Sequence, residues 1–410
     1  MNQKIFLYML FCYPIIYLIG GTLFLYQLVL LPLGISIILK RYYSFYELFL
    51  LAFIVLSIFN LSMIHFVEHL PADRLIAAIN NISIFIIGFL FYFALSNYDF
   101  TDDNQKLLVN SIYFTFILAS FLSFLGLFYV YHGDGSYEYS IPTLFAKALP
   151  QNILDINLIY DATTIKLIVR DWFFGQAFPR LSILTTYPNA LSMLMVMLVS
   201  LLFYFKRKIN YLVLILGLII ITLTWSRTVF VAIVLAISIF TVLRSRISII
   251  LLFFLALILP FSYFVIVEYL STIYYFREGS SESRLNMYVY AVSKMDLLDL
   301  LLGHGVKERI DLFKFPMGSH STYLGFIYKY GLLSASFFLL FVFFIVKDLI
   351  FLLTRCQKND FWLFLPVFSC LLWMIFEDID TPIIVTIYFF ICIFLLTERK
   401  KELIRKEIQL

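Results

Sequence analysis

About twelve long apolar stretches, separated mostly by short connectors, decide what this chain can fold into before any motif is considered. They lie at residues 5–19, 22–39, 45–64, 75–95, 107–130, 190–205, 211–223, 228–243, 247–267, 322–346, 361–376 and 383–396. A helix needs roughly 20 mostly apolar residues to cross the hydrocarbon of a bilayer. In lipid the backbone must satisfy its hydrogen bonds internally, which leaves helices or closed barrels. A barrel would show short segments of alternating polarity, and none occurs. With 62% hydrophobic and only 14% charged residues, the chain is far from a soluble domain, which runs nearer roughly a quarter charged. The expected fold is all-α: one integral membrane domain over residues 1–410, polytopic, with about 12 transmembrane helices. The short first pair reads either as two spans or as a helical hairpin. Residues 5–19 run into the next stretch without a clear small-residue cleavage site, so they are expected to be a span and not a signal peptide.

Orientation follows from the distribution of lysine and arginine over short connectors. With the N-terminus inside, the cytoplasmic connectors collect Lys40, Arg41, Lys106, Lys206, Arg207, Lys208, Arg244 and Arg246, and the tail adds Arg399, Lys400 and Lys401. The short connectors on the other side hold only Arg74 and Arg227. Asp99, Asp102 and Asp103 in one cytoplasmic connector do not change this, because acidic residues contribute little to the bias. Both termini are therefore expected in the cytoplasm, and the two long polar loops, 131–187 and 268–320, on the extracytoplasmic face. Chemistry there is cut off from ATP and nucleotide sugars. Cys12, Cys370 and Cys392 lie in apolar stretches and Cys356 in a basic connector, so neither a disulfide framework nor a zinc ligand set is offered. No nucleic-acid partner, cofactor or metal is expected.

The second long loop is a polar island holding thirteen of the 56 charged residues and two of the five histidines. Within it, Arg284 heads an amphipathic stretch, 285–302, expected to lie helical on the membrane surface. Arg284 reads either as a loop arginine paired with Glu282 or as one of a group of anion-binding arginines. Gly303-His304-Gly305 reads as a tight turn. His320 opens the next span and is either a helix cap or interface residue or a base, since imidazole accepts a proton near neutral pH. Lys329 and Tyr330, about two turns on, suggest that this helix lines a wet cavity.

Outside the island, Arg227 stands in a tight turn, where it either snorkels to the interface or clamps an anion through paired hydrogen bonds. Arg180 has no acidic neighbour closer than Asp171 and is freer to bind an anion than Arg170, which sits beside Asp171. Trp172, Phe173 and Phe174 suit the membrane interface better than a sugar face. Glu377-Asp378-Ile379-Asp380 reads as a solvated acidic loop, with a metal-binding pair as the sharper alternative.

Taken in order, Arg180 with Tyr187-Pro188-Asn189-Ala190, Ser226-Arg227-Thr228, Ser283-Arg284, Gly303-His304-Gly305-Val306, and His320-Ser321-Thr322-Tyr323-Leu324 running to Tyr330-Gly331-Leu332-Leu333 resemble the bacterial O-antigen ligase and O-antigen or capsular polysaccharide polymerase superfamily. The resemblance covers roughly Arg180 to Val346. It implies a GT-C-like helical scaffold in the bacterial cytoplasmic membrane and a metal-independent, inverting glycosyl transfer from a glycan carried on undecaprenyl diphosphate. It further implies that Arg227 and Arg284, with Arg180 as a third, hold the diphosphate, and that His320 activates or orients the acceptor hydroxyl. Membrane lipid is a partner, and a chain-length regulator and a flippase of the same pathway are further implied ones. Many members carry His-Asn where this chain has His320-Ser321.

The reading that follows is a polymerase joining lipid-linked repeat units. A ligase, which moves the glycan onto lipid A core or another acceptor, shares its donor chemistry. A flippase would be expected to carry charges or broken helices near mid-membrane, whereas here charge concentrates at the outer face. A peptidoglycan polymerase of the shape-and-division type would want an essential acid, for which Asp378 or Asp380 is the place to look.

Overall fold

The computed structural model describes residues 2–22, 25–38, 43–96, 100–132, 139–150, 163–173, 176–185, 187–206, 210–244, 280–307, 320–355 and 358–409. Its elements run α1 (Asn2–Ile19), α2 (Leu25–Ile38), α3 (Phe45–Glu68), α4 (Ala72–Ser96) and α5 (Asp102–His132), then β1 (Tyr139–Pro142), α6 (Leu144–Ala148), β2 (Thr164–Phe173) and β3 (Gln176–Leu181). Next come α7 (Pro188–Lys206), α8 (Tyr211–Leu223), α9 (Arg227–Arg244), α10 (Ser280–Lys294) and α11 (Leu297–Leu302), and finally α12 (Thr322–Arg355), α13 (Phe361–Trp373) and α14 (Ile383–Ile408). Each apolar stretch that falls within the described residues is a helix, and five of these helices are long and apolar enough to cross a membrane. The chain is an all-α polytopic membrane protein. The stretch at 247–267 lies outside the described residues.

The core forms around α14. Ile383 to Leu396 is buried on every side, which explains why this segment is apolar all round and carries no polar stripe. It packs against α4, where Gly88 provides the space: a Cβ there would stand 2.5 Å from the Phe390 ring. Small residues of this kind let membrane helices approach closely. At the far end of the bundle, polar contacts fix the register. Arg399 Nε donates to Asp360 Oδ1 at 2.8 Å, and the buried carboxylate of Asp348 takes both Lys400 and the Tyr46 hydroxyl. The capping box of Ser44 and Glu47 starts α3 at that same end.

Two features of the opposite end escape hydropathy. The first long loop holds a three-stranded antiparallel sheet in the order β1-β2-β3, with Val169 opposite Arg180 and Ile168 opposite Leu181. Leu167, Ile168 and Leu181 are buried, and the sheet rests on the end of α5. The second feature is a break in α12 at Gly331, whose φ of 73° and ψ of 165° leave the helix. The break strips Tyr328, Lys329 and Tyr330 carbonyls of their helical donors, and buried carbonyls need replacements. His304 N–H donates to Tyr328 O at 2.8 Å, Gly305 N–H to Lys329 O at 2.7 Å, and Asn60 Nδ2 to Tyr330 O at 2.7 Å. Gly303-His304-Gly305 is thus the tight turn expected, and its job is to cap a broken helix. Gly303 and Gly331 interlock so closely that a Cβ on Gly331 would lie 2.1 Å from Leu301 O.

Candidate functional site

The site is built where α7, α9, α12 and α14 begin and α8 and α13 end. Asn60 sits level with Tyr330, and α3 continues from there to Glu68, about 12 Å farther at the α-helical rise, which brings the end of α3 level with the start of α12 at Thr322.

Arg180 closes β3. Its Nε donates to Thr224 O at 2.7 Å, at the end of α8, and its Nη2 donates to Asn189 Oδ1 at 2.7 Å, in the first turn of α7. The structure therefore brings Arg180 to the turn Thr224-Trp225-Ser226 that launches α9, and Arg227, exposed, is the first residue of α9. Trp225 holds φ +50° in this turn.

From Asn189 the chain of contacts crosses to the acidic segment after α13. Asn189 Nδ2 donates to Glu377 Oε1, and Glu377 Oε2 lies 4.0 Å from His320 Nδ1. Tyr187 Oη donates to the carbonyl of Asp378 at 2.8 Å. Thr322 ties the same segment to α12: its N–H and hydroxyl both donate to Glu377 O, the latter at 2.7 Å, and its Oγ accepts from Ile379 N at 2.9 Å.

The acidic segment is not the solvated loop expected. Glu377 is 4%, Asp378 8% and Asp380 1% exposed, and carboxylates buried to that degree need cationic or hydrogen-bonding partners. Lys307 Nζ reaches Asp378 Oδ2 at 2.6 Å, and Lys329, itself 1% exposed, pairs with Asp380. Burial works against a charge on Asp378, but Lys307 and Lys329, together with the Lys307 hydrogen bond and His320, outweigh it and hold the carboxyl below its ordinary value. In place of the wet cavity expected beside Lys329 and Tyr330 there is a small, mostly apolar one that Lys329 does not line. It has a volume of about 10 Å³ and is lined by Phe53, Phe85, Phe326, Ser57, Tyr330 and Asp380, room for about one water.

His320 directly precedes α12 with φ +66°, a conformation costly for a non-glycine residue and held only when its surroundings insist. They do so on both sides of the residue. Its N–H donates to Asp378 Oδ2 at 3.3 Å and its carbonyl accepts from Tyr288 Oη at 2.5 Å. The cap of α12 is not His320 but Ser321, whose Oγ accepts from Leu324 N at 3.3 Å. Tyr288 lies on α10, which folds back onto α12 through Met287 and Ala291 packed on Tyr328. Arg284 is one turn before Tyr288 on α10; its side chain lies outside the described atoms, as do those of Arg170, Asp171, Trp172 and Phe173. Phe174 is outside the described residues. The expected surface helix is two helices, α10 and α11, separated at Asp296, whose capping box with Asp299 starts the second.

The residues that sequence reasoning missed as site elements are Asn189, Glu377 and Lys307. Each takes its meaning from a partner remote in the chain. A signal for Glu377 was present, since an acid flanked by apolar stretches is unlikely to be placed there without a partner.

Residues 211–339 match the family model described as O-antigen ligase. The match runs from α8 to within α12 and contains Arg227, Arg284 and His320. Comparison with curated proteins gives no match.

Proposed function

We propose, from the premise of an O-antigen ligase domain over residues 211–339, that this chain is a polysaccharide polymerase. It joins oligosaccharide repeat units carried on undecaprenyl diphosphate at the outer face of the bacterial cytoplasmic membrane, on a GT-C-like scaffold. One observation carries the reading. The hydrogen-bonded chain Arg180–Asn189–Glu377 links the turn before Arg227 to His320 across three helices.

The chemistry runs as a single displacement. The acceptor hydroxyl gives its proton to a ring nitrogen of His320 as its oxygen bonds to the anomeric carbon of the donor glycan. The bond from that carbon to the lipid diphosphate breaks, and its electron pair leaves with the diphosphate. Attack opposite the leaving group inverts the anomeric centre. Charge grows on the diphosphate oxygens, and preorganised guanidinium groups stabilise growing charge most. Arg227 and Arg284, with Arg180 as a third, supply them; two parallel N–H donors per guanidinium match the phosphate oxygens. The diphosphate linkage is already activated, so the site has no need of ATP.

The transporter alternative anticipated charges and a broken helix at mid-membrane. Lys329 and Gly331 are eight and ten positions into α12, inside the apolar stretch 322–346, but Asp380 pairs with Lys329 and the Gly303-His304-Gly305 turn caps the break. A paired charge and a capped break suit a fixed scaffold more than a moving gate. Lengthening of lipid-linked units identifies a polymerase, and transfer to lipid A core or another acceptor identifies a ligase.

Arg227→Ala and Arg284→Ala are each expected to lower kcat/KM for the lipid-linked donor by about 10²–10³-fold. Lysine at either position should restore only part of this, because a point charge lacks the paired donors. Either alanine variant with parental activity, at parental membrane level, contradicts the assignment.

A further inference from the structure

We propose that Glu377 is a positioning residue for His320, holding the imidazole in the tautomer and orientation that the transfer needs. The inference rests on the reading of His320 as the base. The acidic segment supplies three buried carboxylates, and the structure gives them different tasks. Asp380 takes Lys329, deep in the bundle. Asp378 takes Lys307 and the backbone N–H of His320, so it fixes the main chain by hydrogen bonding and meets the ring only as a nearby charge. Glu377 is the carboxylate set against the ring, Oε2 to Nδ1 at 4.0 Å.

Its own orientation is determined. Arg180 is a donor only, so it requires the oxygen of Asn189 and turns the Asn189 amide nitrogen toward Glu377 Oε1. The backbone carbonyl of Glu377 is held by Thr322. A carboxylate fixed in this way favours a proton on Nδ1 and leaves the lone pair on Nε2, which would then take the proton of the acceptor hydroxyl. The same carboxylate stabilises the imidazolium as it forms. The 4.0 Å separation exceeds a hydrogen bond, and catalytic contacts often tighten only with substrate bound. The chain also joins Arg180 to His320, so one set of contacts aligns a donor-binding arginine and the base.

The test uses the full chain in native membranes or nanodiscs and follows turnover of lipid-linked repeat units. Glu377→Gln keeps the oxygen that Asn189 donates to and removes the charge. Expected is a roughly 10–100-fold fall in kcat, less than for a fully hydrogen-bonded triad, with donor KM within about twofold. Glu377→Asp, which retreats the charge by one methylene, should fall between the parent and Gln, and it carries the test if the Gln variant does not accumulate. In a His320→Ala background, Glu377→Gln should cost nothing further. Parental kcat in Glu377→Gln, with His320→Ala inactive, overturns the positioning role alone. Losses that multiply in the double variant also overturn it, since Glu377 would then act independently. Full activity in His320→Ala overturns the base and its positioning partner together.

Discussion

His320→Ala is expected to reduce glycan transfer by about 10²–10⁴-fold, the range contributed by a positioned general base, while leaving donor KM little changed. The direction follows from where the residue sits. Its main chain is pinned in the left-handed region by Asp378 and Tyr288, and those contacts do not involve the ring. Removing the ring should therefore leave the strained turn in place and remove the proton acceptor. Ser321, not His320, caps α12, so the helix start should also survive. Thermal unfolding of the purified variant, measured beside turnover, separates the two effects. A variant that unfolds at the parental temperature yet transfers at the parental rate would remove His320 from the chemistry.

Lys329→Met is expected to carry the largest stability loss. Lys329 and Asp380 are each 1% exposed and pair with one another, and Lys329 also lies 5.1 Å from the ring centres of Phe326 and Tyr330. Breaking such a pair from one side strands a buried charge and costs about 3–5 kcal/mol. Replacing both members is a different matter, because a well-packed apolar pair of similar volume is often neutral. Lys329→Met combined with Asp380→Leu should therefore recover most of the loss in thermal unfolding. A single variant as stable as the parent would show that Asp380 has another partner, and a double variant no better than the single would show that the pair does more than balance charge.

The helical spans were legible because crossing a bilayer constrains composition locally: each apolar stretch among the described residues is read without knowledge of any other. What was not legible depends on pairs. Lys329 and Asp380 are 51 positions apart, and the lysine read as a sign of water when its partner is a buried acid. Glu377, Asp378 and Asp380 read as solvated for the same reason: local sequence shows three acids, not the asparagine and the lysines that receive them. The Gly331 break hid within an apolar span, since hydropathy does not report φ. Its signal was the pairing of that glycine with the Gly303-His304-Gly305 turn, whose N–H groups cap the broken helix. The sheet in the first loop was legible in part. Ile165, Leu167, Ile168 and Val169 give Thr164–Phe173 an apolar, largely β-branched run, but Ile168 is buried beside Leu167, so no clean period-2 alternation marked the strand within a polar loop. Of the candidate site, the order of Arg180, Arg227, Arg284 and His320 was readable as residue types; the contacts through Asn189 and Glu377 that join Arg180 to His320 were not.

The most direct test is reconstitution. The purified chain in lipid vesicles is given undecaprenyl-diphosphate-linked repeat units, with no nucleotide and no added metal, and the lipid-linked products are resolved by length. A ladder of longer lipid-linked glycans, with the new linkage inverted relative to the donor, is the expected result. Donor recovered intact under these conditions, with no lengthening and no transfer to any supplied acceptor, would contradict the account.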